Sequence, residues 1–178
     1  IAAQMLYKKD PEAVMVVLPA DHHITEPEAF KKYLKAAVEK AKQGENLLTI
    51  GINPDRPETG YGYIHGDNTV SEELNKKEIH PVKAFKEKPD LETAKAFLAS
   101  GDYFWNSGMF IWSAKTVLAE FEKHLPDMFG HVSATKDSLF NQGHDEAINE
   151  FYHACESVSI DYGIMEHATN VYVVPGEF

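Results

Sequence analysis

The sequence predicts an α/β fold, and three observations predict it. Short apolar runs such as Met15-Val-Val-Leu18 and Leu47-Leu-Thr-Ile-Gly-Ile52 read as strands covered on both faces. Stretches with apolar residues three and four apart lie between such runs and read as amphipathic helices. Turn chemistry rich in Gly, Pro and Asn separates them, with no internal repeat and no low-complexity segment.

Taken in order, Ile1-Ala-Ala-Gln-Met-Leu-Tyr7 reads as the interior of a helix. Met15-Val-Val-Leu18 is expected to be a central parallel strand. Thr25-Glu-Pro-Glu28 fits a capping box, with Thr25 at the N-cap and Pro27 tolerated in the first turn. Phe30, Leu34, Ala37, Val38 and Ala41 then form the buried face, and Gly44 is the expected stop. With a strand at 47–52, this is a β-α-β unit, for which a parallel, right-handed crossover is expected. The portion from Asn53 to Pro89 is an insertion of mixed strands, one near Tyr61-Gly-Tyr-Ile-His65 and one near residues 80–89. Asp90 caps a helix that turns Leu91, Ala94, Phe97 and Leu98 inward and ends at Ser100-Gly101. A strand follows at 104–112. Ser113 caps a helix with Val117, Leu118, Phe121 and Leu125 on its apolar face, and Pro126 stops it. Helices near 127–139 and 145–154, then a strand at 170–174, complete the series.

Composition narrows the function classes. With 178 residues, 43% hydrophobic and 25% charged, the chain is an ordinary globular one, long enough for one domain over 1–178. A formal charge of -11 excludes a broad nucleic-acid footprint but leaves room for a small phosphorylated ligand. No apolar run reaches the roughly 20 residues that span a bilayer, so no membrane partner is expected. The single Cys155 forms no internal disulfide, and a reducing compartment, the cytoplasm, is expected. The chain opens on Ile1 and stops at Pro175-Gly-Glu-Phe178, so both ends are expected to be cuts through a larger protein.

Four stretches carry chemistry, each with a plain structural alternative. Asp21 follows a strand end, where ligands collect in open α/β sheets. Its carboxylate suits Mg²⁺, or it is a turn residue leading into the helix. Neighbouring His22 and His23 do not make a zinc site, because adjacent residues rarely converge on one metal. In Thr59-Gly-Tyr-Gly-Tyr-Ile64 the glycines permit close backbone approach to a ligand, or simply open a strand. In Phe85-Lys-Glu-Lys-Pro89, strand alternation would put Glu87 opposite Lys86 and Lys88. Glu87 could then accept bonds from sugar hydroxyls and Lys88 hold a phosphate, or the run is a solvated one. Asn106, in Trp105-Asn-Ser-Gly-Met-Phe110, offers both a donor and an acceptor to a hydroxyl-rich ligand, or sits in a turn.

In order and spacing, Pro19-Ala-Asp-His22, Thr59-Gly-Tyr-Gly-Tyr-Ile64, Phe85-Lys-Glu-Lys-Pro89, Asn106-Ser-Gly-Met-Phe110 and Ser159-Ile-Asp-Tyr-Gly-Ile-Met-Glu166 resemble successive motifs of the sugar nucleotidyltransferases. The Ser-Ile-Asp-Tyr stretch resembles the bacterial guanylyltransferases that act on mannose 1-phosphate. The resemblance implies a Rossmann-like, GT-A-like mixed sheet flanked by helices, here without its N-terminal strand or strands. It implies the reaction of GTP with mannose 1-phosphate to give GDP-mannose and pyrophosphate, the sugar phosphate attacking the nucleotide α-phosphorus in line. By the same resemblance the catalytic residues are Asp21, the Mg²⁺ ligand, and Lys88, which binds the sugar phosphate. Glu87 and Asn106 take the mannose hydroxyls, the backbone at Gly62 takes the sugar, Asp161 belongs to the substrate site, and His22 orients its loop.

Departures from the family pattern shape the expectation. The glycine-rich loop with its Arg and Lys that cradles the triphosphate is not in this sequence, nor is a second metal-binding Asp, nor an isomerase domain. His167 stands where a Lys is common. The 178 residues alone are therefore expected not to catalyse the transfer, and base choice is open. Two alternatives stand beside this reading, a same-fold transferase for another sugar 1-phosphate and a non-catalytic binding module. Homo-oligomerisation is open.

Overall fold

A computed structural model describes residues 1–135, 138–140 and 144–178. Helix α1 (Ala2–Lys9) precedes strand β1 (Val14–Val17), helix α2 (Pro27–Lys42) and strand β2 (Leu47–Ile52). The mixed portion holds β3 (Tyr63–Gly66), β4 (Glu72–Leu74) and β5 (Lys77–Lys86). Then come α3 (Leu91–Ser100), β6 (Tyr103–Ser113), α4 (Ala114–His124), α5 (Pro126–Thr135) and α6 (His144–Ala154). A π-helical turn at Asp161–Met165 leads to β7 (Val171–Gly176). The α/β class is as the sequence predicts. Of the helix expected over 127–139, positions 136 and 137 lie outside the described residues.

Among the described residues, the seven-stranded sheet has the order β1-β6-β2-β7-β5-β3, with β4 paired to β5 off this path, and β3 also pairs with β6. The pairings β6-β2-β7-β5-β3-β6 therefore close into a circuit, with β1 attached outside it along β6. Only β2 and β7 run parallel among the neighbours; β6 is antiparallel to β1, β2 and β3. This corrects one expectation: β1 is not a central parallel strand but an edge strand antiparallel to β6, and Val16, Val17 and Leu18 are 40%, 38% and 45% exposed. An unbroken apolar run marks a strand that needs cover on both sides, but it does not say which chain segment gives that cover. The parallel direction expected of β1 and β2 is present, both strands running antiparallel to β6, which lies between them.

Cover on both faces explains why β2 is mostly apolar, with Leu47, Leu48, Thr49 and Ile50 fully buried. Leu47 packs with Phe110, Trp112, Val117 and Ile164 on the face of α1, α4 and the π turn. Leu48 and Ile50 pack with Phe30, Ala37 and Ile111 on the α2 face. Side chains of β6 alternate in the same way, Phe110 and Trp112 to one face and Ile111 to the other. Each such aliphatic or aromatic side chain contributes about 1.5–3 kcal/mol by leaving water.

Caps follow the sequence in two helices and depart from it in one. Asp90 accepts the Thr93 N–H, Ser113 accepts the Thr116 N–H, and Gly101 closes α3 with φ 75°. For α2 the N-cap is Glu26, without a side-chain cap bond, and Pro27 is the first helical residue. The Thr25 capping box does not form: Pro27 fixes the start of the helix at itself, which puts Thr25 one residue too early. Leu91, expected inside, is 48% exposed because it occupies the first position of α3, beyond the sheet.

Candidate active site

Strand β6 is the spine of the site. On one edge its end pairs with β1, Val17 opposite Phe110, and its start pairs with β3, Tyr63 opposite Trp105. Residues 106–109 form the gap between these two partners. Both antiparallel neighbours aim their chain into that gap: β1 ends there and runs on to Asp21, and β3 begins there, just after Gly62. On the other edge a bulge widens it. Thr49 pairs with Phe110 and Gly51 with Asn106, so three residues of β6 face Ile50 alone. Gly108 takes φ +68°, a conformation other residues adopt only with strain, and a Cβ there would lie 3.6 Å from Pro19 Cγ. The Asp21 loop thus rests on the bulge.

The polar contacts in the gap are specific. Asn106 N–H donates to the Gly62 carbonyl at 2.8 Å. The Asn106 side-chain Nδ2 donates to Asp161 Oδ1 at 2.7 Å, while its Oδ1 accepts the Gly108 N–H at 3.1 Å. Glu87 follows the end of β5, where Lys86 pairs with Tyr63. Its carboxylate lies over Gly62 so closely that a Cβ on Gly62 would be 2.8 Å from Glu87 Oε1. The absent side chain of Gly62 is what lets Glu87 in. Burial pushes the Glu87 pKa up, and the charges of Asp161 and Glu166 add to the rise, with Lys88 opposing it.

Of the residues singled out in the sequence, Gly62, Glu87, Asn106 and Asp161 come together here. Lys88 is exposed beside Glu87 with φ 44°, the left-handed region. Strand alternation therefore does not set its direction, since β5 ends at Lys86. Asp21 lies exposed on the rim beyond β1, and among the described residues no hydrogen bond or ion pair engages its carboxylate. One free carboxylate fits a Mg²⁺ that draws its other oxygens from phosphate and water. Among the described residues no group of three His, Cys, Asp or Glu side chains could hold a metal, and His22 and His23 are exposed.

Sequence reasoning missed Ser107, whose hydroxyl donates to the Ile50 carbonyl at 2.6 Å, and Glu166. Glu166 could have been found as the acid closing the Ser-Ile-Asp-Tyr motif; Ser107 carries no signal, because its partner is fixed only by register. The π turn bearing Asp161 is held against α4, where Leu125 packs against Gly163 and His124 stacks on His167 at 5.9 Å. Trp105 points to the opposite face, packing with Tyr63 and Ala94 under the Arg56 guanidinium. An apolar cavity of about 430 Å³, lined by Phe121, Met128, Phe151 and Cys155 among α1, α4, α5 and α6, lies apart from all these groups.

The gap is thus flanked by a strand-end acid, a backbone glycine, a half-buried carboxylate and a fixed amide. The family model described as Nucleotidyl transferase matches residues 1–146, and the chain belongs to that family. It is 40% identical over 168 residues to the mannose-1-phosphate guanylyltransferase of Sinorhizobium fredii, covering 94% of this chain and 32% of that one. It is also 40% identical over 181 residues to the mannose-1-phosphate guanylyltransferase of Escherichia coli, covering 98% of this chain and 37% of that one. The chain thus spans about a third of the length of the curated relatives it matches. A crystal structure of a mannose-1-phosphate geranyltransferase from Thermus thermophilus matches with a TM-score of 0.84 and 31% identity, over 99% of this chain and 48% of that one. One of a mannose-6-phosphate isomerase from Helicobacter pylori matches with a TM-score of 0.79 and 30% identity, over 97% of this chain and 66% of that one.

Proposed function

We propose that these residues form the sugar-phosphate half of a guanylyltransferase that makes GDP-mannose and pyrophosphate from GTP and mannose 1-phosphate. The observation that carries the proposal is the convergence of Gly62, Glu87, Asn106 and Asp161 on the gap in β6, with the Asp21 loop at its rim. The names of the relatives support the choice of sugar and nucleotide. The nucleophile is the substrate's own phosphate oxygen, so the protein needs no covalent nucleophile; it holds and orients.

Each side chain has a part in that task. Ionised Glu87 accepts from sugar hydroxyls, and the second amide hydrogen of Asn106 donates to a sugar oxygen. The three carboxylates Glu87, Asp161 and Glu166 repel a phosphate, so the phosphate end of the ligand lies toward Lys88. Asp21 is the side chain that would hold Mg²⁺, which neutralises phosphate charge when bound. The reading places the protein in the cytoplasm, where GTP is available and Cys155 stays a thiol. No helix of the described residues is long and apolar enough to cross a membrane.

Calorimetric titration of the chain with mannose 1-phosphate tests the proposal. Binding is expected, with Lys88→Ala weakening it about ten- to a hundredfold, the value of one charge-assisted contact of roughly 1.5–3 kcal/mol. Lys88→Arg should restore only part, because the guanidinium fork does not occupy the ammonium position. Equal affinity in wild type and Lys88→Ala would remove Lys88 from the site. Equal affinity for mannose and mannose 1-phosphate would remove the phosphate from the account.

A further inference from the structure

We propose that Ser107 is a positioning residue for this site: its hydroxyl fastens the β6 bulge to β2 and so sets the Asn106 amide that meets the sugar. The role presupposes the sugar-phosphate reading given above. Where three residues of β6 face one of β2, the ladder cannot continue, and the carbonyl of Ile50 loses a strand partner. Ile50 is fully buried, so water does not replace that partner. Ser107 Oγ donates to the Ile50 carbonyl at 2.6 Å, and the same oxygen accepts the Met109 N–H at 3.2 Å. One hydroxyl therefore spans the bulge, using its donor and an acceptor lone pair on backbone.

The path it fixes decides where Asn106 points. Gly108 sits between Ser107 and Met109, which the Ser107 hydroxyl ties together, at φ +68°, and its N–H is the group held by Asn106 Oδ1. If 107–109 take another path, that N–H moves and the Asn106 carbonyl loses its partner. Asp161 then holds the amide nitrogen alone. Ser107 acts through these neighbours, since its own hydroxyl is already committed to Ile50 and Met109.

The test uses the 178-residue chain with Ser107→Ala, which removes both bonds, and Ser107→Thr, which keeps a hydroxyl in place. In NMR spectra without ligand, Ser107→Ala should shift the Asn106 side-chain amide pair and the Gly108 N–H, and Ser107→Thr should leave them close to wild type. Affinity for mannose 1-phosphate should fall about tenfold in Ser107→Ala, the size of loss that one neutral hydrogen bond represents, and recover in Ser107→Thr. If Ser107→Ala fails to fold, Ser107→Cys, with its weaker donor, takes its place and should shift the same signals. A lowered melting temperature with the Asn106 and Gly108 signals unmoved would overturn the proposal and leave Ser107 an ordinary structural serine. So would unmoved signals with reduced affinity. Should wild type itself fail to bind mannose 1-phosphate, the sugar-phosphate reading falls, while the ligand-free signals still decide whether Ser107 sets Asn106.

Discussion

Glu87 shows how a single residue can be held against its own ionisation preference. Burial raises its pKa above the ordinary 4.5, and Asp161 and Glu166 add to the rise. A proton therefore binds the folded chain more tightly than the unfolded one. The stability linked to that proton is fully present below a pH of about 4.5 and is lost as pH rises through the raised value. At neutral pH the ionised group costs stability. Glu87→Gln should then melt at a higher temperature than wild type at pH 7, with the advantage vanishing below about pH 4.5, while its affinity for mannose 1-phosphate falls. Identical melting curves at pH 7 would show that the carboxylate is not held against its preference. Residue types were legible at this scale: Asp21, Gly62, Glu87, Lys88, Asn106 and Asp161 all stood out in the sequence. The bond between Asn106 and Asp161, 55 positions apart, was not, because nothing local encodes it.

Among the elements, those governed by local chemistry were the legible ones. Asp90 and Ser113 cap their helices because a side-chain oxygen reaches the N–H three residues on, a contact written entirely in neighbouring residues. Asp90→Ala and Ser113→Ala should each lower stability, Ser113→Ala by about 1 kcal/mol, read from denaturant melts; Thr25→Ala should change little, since α2 starts at Pro27 without it. A loss at Thr25 equal to that at Asp90 would contradict this assignment. Strand partners were the illegible part. β1 and β2 look alike as apolar runs, yet one is enclosed and the other lies at the edge, because burial of a strand depends on segments far away in sequence. β4 went unnoticed for the opposite reason, being three residues long and paired only with β5.

For the molecule as a whole, the outer edge of β1 is unpaired among the described residues, and exposed Val16, Val17 and Leu18 line it. Such an edge favours strand addition, so the chain should associate as its concentration rises, and Val17→Lys should reduce that association in light scattering. Association unaffected by Val17→Lys would place the contact elsewhere. The 178 residues should also release no pyrophosphate from GTP and mannose 1-phosphate with Mg²⁺, because their sequence carries no glycine-rich loop with an Arg and a Lys to cradle a triphosphate. Turnover that Asp21→Asn abolishes would mean that the nucleotide site lies within these residues after all. The central claim, that the gap in β6 receives a sugar phosphate, is tested most directly by a crystal structure of the chain with mannose 1-phosphate and Mg²⁺. The sugar ring should lie between Glu87 and Asn106, over the Gly62 backbone, with its phosphate at Lys88 on the side of Asp21. A ligand seated in the apolar cavity near Cys155, or a phosphate lying among Glu87, Asp161 and Glu166, would contradict it.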